Sequence, residues 1–137
     1  MEIFVFNKAG NISLLTVKRI ARDVLCREKR KTAGLTIVFL NAGEIKKLNL
    51  KYRRKNCPTD VLSFGSKEQD YLGEVIICPE EVRKNAKENK IVFKKEMTRV
   101  LIHGLLHLLG YDHQKSRPQK QIMLSKQELY LSKVRFS

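Results

Sequence analysis

His103, His107 and His113 are the three histidines of the chain, and all lie in one stretch, HGLLHLLGYDH, from His103 to His113. Residues four apart on a helix stand on the same face, so His103 and His107 can offer ring nitrogens to one ion. His113 cannot join them if the helix continues. At about 100° and 1.5 Å per residue it lies roughly 80° off that face and about 15 Å along the axis. Gly110 removes the obstacle, because glycine adopts the left-handed conformation that ends a helix and turns the chain back.

Three neutral imidazoles with a fourth position left open suit a catalytic zinc ion, whereas structural zinc sites usually close their shell with thiolates. A single histidine near a helix C-terminus would need no such reading, since it interacts favourably with the macrodipole. Three at this spacing imply a metal. Zinc, one per chain, is the expected cofactor, although imidazole also accepts nickel, copper and iron. The motif resembles the elongated zinc signature of metzincin proteases with one departure: Gly104 stands where those enzymes carry a glutamate base. Peptide hydrolysis by that route is therefore not expected.

The same eleven residues more closely resemble the signature of the YbeY-type endoribonucleases. A second block, Leu48-Asn49 with Tyr52-Arg53 followed by Pro58-Thr59-Asp60-Val61-Leu62-Ser63-Phe64, is similar to another segment of that family, and Leu72 to Cys78 to a third. Gly65 departs from it, standing where the family commonly has proline. The resemblance covers nearly the whole chain. It implies a single-strand-specific, metal-dependent endoribonuclease that matures the 3′ end of small-subunit ribosomal RNA and serves ribosome quality control. Ribosomal RNA and the ribosome are then the expected partners, with no membrane and no nucleotide cofactor.

Cleaving a phosphodiester also requires charge stabilisation at the nonbridging oxygens. Arg53 is the candidate, because a guanidinium grips phosphate with two parallel donors and stays charged, and the resemblance points to the same position. It also belongs to a basic run from Lys51 to Lys55. Asp112 can either hold an imidazole in its tautomer or accept a proton, or it can cap the turn after Gly110. Thr59, Asp60 and Ser63 can line the cleft beside the metal.

Composition agrees with an anionic partner. Lysine and arginine total 28 against 14 acids, a formal charge of +14. Such an excess points to nucleic acid, although lysine-rich helix faces also keep a protein soluble. Tyr52 and Phe93 lie among the basic residues, too sparsely to indicate base stacking. A length of 137 residues fits one domain, 1–137. No apolar run approaches the roughly 18 residues of a membrane span, and the first residues lack a signal peptide's pattern, so a cytoplasmic protein is expected. Cys26, Cys57 and Cys78 show neither an even count nor C-x-x-C spacing, which argues against disulfides and a thiolate metal site.

Two other functional classes fit the same residues. One is a metallohydrolase acting on peptides or small molecules, which Gly104 disfavours. The other is a non-catalytic, basic ribosome-binding assembly factor whose metal only stabilises the fold.

The elements that must position these residues follow from periodicity. Alternation predicts strands over Glu2 to Asn7, Leu35 to Leu40, Asp60 to Phe64 and Tyr71 to Cys78. Ser13 caps a predicted helix from Leu14 to Lys31, ended by Gly34, with Leu14, Val17, Ile20, Ala21, Val24 and Leu25 on one stripe. Asn41 and Glu44 open a short helix through Tyr52, and Pro79 opens another to Asn89. Phe93 to Leu109 is too apolar for a surface helix and is expected at the centre, holding the histidine pair. A last helix, near Gln119 to Ser132, is expected to cover the core with Ile122, Met123, Leu129 and Tyr130. The sum is an α+β fold: a four-stranded mixed sheet packed with about five helices around a metalloprotease-like zinc helix.

Overall fold

The computed structural model describes residues 2–10, 12–30, 34–111 and 117–135. Four runs rich in β-branched and aromatic residues form β1 (Ile3–Asn7), β2 (Gly34–Phe39), β3 (Val61–Gly65) and β4 (Tyr71–Ile77). They make one sheet in the order β1-β2-β4-β3. The β1/β2 and β2/β4 pairs are parallel and β3/β4 is antiparallel. A parallel pair cannot be closed by a hairpin, so the chain between β1 and β2 crosses over as a helix. That helix is α1 (Leu14–Arg27), capped by the Ser13 hydroxyl, which accepts from the Thr16 amide.

Burial alternates along β2, so that Leu35, Ile37 and Phe39 are fully enclosed on one face. There they meet Val17, Ile20, Ala21, Val24 and Leu25 of α1, and the side chains of α4 (Phe93–Leu108). The opposite face carries a smaller cluster, in which Ile45 of α2 (Ala42–Arg53) packs with Leu62, Ile76 and Cys78. Between β4 and α4 lies α3 (Pro79–Glu88), and α5 (Arg117–Ser132) closes the far side of α4. Helix α4 thus touches α1, α3, α5, β3 and β4. Its continuous apolar sequence is the requirement of that central place.

Three expectations need correction, the first being Leu14, which is 39% exposed and not part of the enclosed stripe of α1. Helix α1 ends at Arg27, not Lys31, and the break precedes Gly34. Lys29 adopts a left-handed φ of 59°, and the Arg30 amide donates back to Leu25 at 2.8 Å. Gly34 instead begins β2, where a Cβ would lie 3.2 Å from the Tyr71 ring. On α5, Ile122 and Leu129 are half exposed. The helix turns Met123, Gln127, Tyr130 and Leu131 inward, so a polar residue takes the place expected of an apolar one.

The end of α1 is tied to the turn after α4 and to α5 by one carboxylate. Glu28 accepts from Tyr111 Oη at 2.6 Å, from Lys126 Nζ at 2.9 Å and from the Tyr130 hydroxyl. Burial alone would push the Glu28 carboxyl up, but the hydrogen bonds from Tyr111, Tyr130 and Lys126 together hold it below its usual value. Tyr130, buried and donating to that carboxylate, is pushed up to about 12 and stays neutral. Replacing Glu28 with Gln removes the charge from a carboxylate whose side chain is only 7% exposed. The expected loss is about 2 kcal/mol near neutral pH, because Lys126 and two phenols lose their ionic acceptor. A depressed carboxyl stabilises the fold above its unfolded value and ceases to do so as pH falls through its folded value. The difference between wild type and Glu28→Gln, measured by urea denaturation, is therefore expected to shrink below about pH 4.

Candidate metal centre

Helix α4 places His103 and His107 one turn apart, both half-buried, with ring centroids 4.6 Å apart. Their Nε2 atoms approach to 3.0 Å. Two nitrogens bound at about 2.0–2.1 Å to one tetrahedral ion would lie about 3.3 Å apart, so the pair fits a shared cation with little adjustment.

The tautomer of His103 follows from its other nitrogen. Gln127 Oε1 lies 2.7 Å from His103 Nδ1. The Gln127 amide nitrogen donates to Glu128 at 3.2 Å, which fixes the carbonyl end toward the histidine. An amide oxygen only accepts, so Nδ1 carries the hydrogen, which leaves Nε2 as the ring nitrogen that could bind a cation. Metal-bound histidines characteristically have such an outer acceptor. Glu128 is held in turn by Arg99, which also reaches the buried Glu96 at 2.9 Å. Arg99, His103 and His107 follow each other at four-residue steps, so one face of α4 carries both the histidine pair and the clamp that orients it through α5.

The turn after the histidines closes as the sequence requires. Gly110 takes φ 99°, its amide donates to His107 O, and the Tyr111 amide donates to Leu106 O. This pair of bonds is the helix-ending arrangement that reverses the chain. Asp112 and His113 lie outside the described residues. Among the described residues no group of three or more His, Cys, Asp or Glu side chains is gathered for a metal.

His103 and His107 line a cleft of about 470 Å³ with Tyr52, Arg53, Thr59, Asp60 and residues 61–65 of β3. Arg53 is exposed at the last turn of α2, and Arg54 next to it ends the helix in a left-handed conformation, φ 57°. The buried Asn49, one turn earlier, donates to Cys57 O at 2.9 Å and so holds the loop that leads from α2 into β3. The secondary candidates divide. Asp60 accepts from Asn85 of α3 at 3.2 Å, and Thr59 donates to Asp60 at 3.4 Å. The Ser63 hydroxyl donates to Gly104 O at 3.1 Å, which fastens α4 to β3.

Gly104 permits that approach. A Cβ there would stand 2.7 Å from Val75 Cγ1 and 3.2 Å from both Ser63 Oγ and Val61 Cγ2. The position faces the sheet. Of the three cysteines, Cys78 is fully buried, and burial pushes its thiol up, as suits an unreactive residue. Gln127 escaped the sequence reading because its role depends on α5 packing against α4. The available signal was its i+4 spacing from Met123 on a stripe continued by Tyr130 and Leu131.

Comparison with known proteins agrees with the motifs. The family model described as Endoribonuclease YbeY matches residues 4–135. An endoribonuclease YbeY of Bdellovibrio bacteriovorus is 38% identical, over 98% of this chain and 98% of that one. Another, from Thermotoga petrophila, is 42% identical over 73% of this chain and 67% of its own. A solution structure of a Thermotoga maritima protein superposes with a TM-score of 0.70 at 32% identity, covering 94% of this chain and 86% of the other. Sequence, architecture and the histidine-bearing helix thus converge: the chain belongs to the Endoribonuclease YbeY family.

Proposed function

We propose that residues 1–137 form a metal-dependent endoribonuclease domain that cuts single-stranded RNA. The observation that carries this reading is the sharing of one cleft by the converging His103 and His107 nitrogens and by Arg53, on a chain of charge +14. His103, His107 and His113 would hold one zinc ion. When bound, the ion polarises a phosphoryl oxygen, a Lewis-acid effect of several kcal/mol. Arg53 grips the nonbridging oxygens with two donors and fixes the phosphate relative to the histidines. Gln127 holds His103 with Nε2 toward the cleft. Asp112 would orient an imidazole or take up the proton lost by the attacking water or ribose hydroxyl. The substrate is ribosomal RNA, at the 3′ end of the small-subunit species, and the role extends to ribosome quality control in the cytoplasm.

In this setting Arg53→Ala is expected to lower kcat on a single-stranded oligoribonucleotide about 100-fold, with a much smaller loss of binding. Wild-type protein that binds RNA without cutting it, with Arg53→Ala losing only affinity and salt dependence, would identify a basic assembly factor instead. Elemental analysis of protein purified without tag or chelator is expected to give about one equivalent of zinc.

A further inference from the structure

Tyr52 remains 56% exposed although it sits on the wall of the histidine cleft. Its ring is nonetheless held, edge to face, against Phe64 of β3, with centroids 5.1 Å apart at 63°. The ammonium of Lys51 stands 5.2 Å from the ring centroid. Behind this wall lies a second groove of about 410 Å³, reaching Tyr71 and Glu74, and Tyr52, Phe64 and Gly65 line both spaces. A supported aromatic ring, a neighbouring cation and a path continuing out of the cleft form the combination with which proteins hold unpaired nucleotides.

Resting on the endoribonuclease reading above, we propose that Tyr52 is the stacking platform for a nucleobase beside the phosphate held by Arg53, with Lys51 neutralising the next phosphate. Every base has a π-face, so this subsite recognises a base without reading its identity. It also favours single strands, because a paired base in a helix already has its faces covered.

The test is a steady-state comparison of wild type, Tyr52→Leu and Tyr52→Phe on a single-stranded oligoribonucleotide with a mapped cut site. The same proteins are assayed on versions carrying one abasic nucleotide at successive positions around the cut. Tyr52→Leu keeps apolar bulk without a flat face, and KM is expected to rise about tenfold, with kcat carrying a smaller share. Tyr52→Phe recovers most of that loss. One abasic position is expected to impose a similar penalty on wild type, and on that substrate Tyr52→Leu adds nothing further. A Tyr52→Leu variant as active as wild type overturns the subsite, and so does a loss that persists undiminished on every abasic substrate. Wild-type protein that cuts none of the RNAs removes the endoribonuclease reading, and the subsite with it.

Discussion

The His107→Ala variant is expected to cut RNA at least about 1000-fold more slowly than wild type while keeping its helical circular dichroism. The magnitude follows from the several kcal/mol of charge stabilisation supplied by a bound ion, at 1.36 kcal/mol per tenfold in rate. Stability should change little, because His107 is only half-buried at the last turn of α4, away from the enclosed face formed by Leu101, Leu105 and Leu106. Gln127→Leu makes a graded companion. It preserves volume but removes the oxygen that accepts from His103 Nδ1, leaving the tautomer unfixed. Metal retention is expected to weaken 10–100-fold, with cleavage recovering in excess zinc. The two variants are compared by competition with a chromophoric chelator. Full metal content and wild-type cleavage in His107→Ala would remove this histidine from the site.

Restoring the metzincin glutamate should destabilise the fold rather than create a protease. Gly104 lies where α4 presses on β3 and β4, and even a Cβ would meet the stiff, buried Val75 side chain at 2.7 Å. Gly104→Ala gains about 1 kcal/mol of helix propensity but is expected to lose about 2 to overpacking, a net loss of roughly 1 kcal/mol. Gly104→Glu adds an unpaired carboxylate among Val61, Val75 and Ser63. The combined loss is expected to exceed about 4 kcal/mol, enough to bring a domain at the low end of the usual stability range close to its unfolding midpoint and to lower its soluble yield. Denaturation curves for the alanine variant and soluble yield for the glutamate variant check both steps. Wild-type protein that hydrolyses peptides and leaves RNA uncut would reinstate the metallohydrolase class disfavoured above.

The histidine pair was legible because its geometry is local. Four residues on a helix fix two side chains on one face whatever surrounds them, and Gly110 signalled the turn through its own conformational freedom. The strands, the caps at Ser13 and Asn41 and the central place of α4 were legible for the same reason, since each depends on neighbours within a few positions. The end of α1 was read too late because nothing local marks Lys29 as left-handed. That turn is held by Glu28, whose partner Lys126 lies 98 positions away.

Ser63, Gln127 and Tyr52 show where local reasoning stops. A strand serine faces either a cleft or a helix, and only the packing of α4 on β3 decided that this one fastens the Gly104 carbonyl. Residue types alone thus specified which groups can bind a divalent ion, and the charge suited to a polyanion. Chain packing selected the amide that orients His103 and brought Arg53 to the same cleft, and it left Tyr52 exposed at its wall. Such choices depend on contacts between segments tens of residues apart, whose free energies arise when surfaces meet, and no periodicity within a segment encodes them.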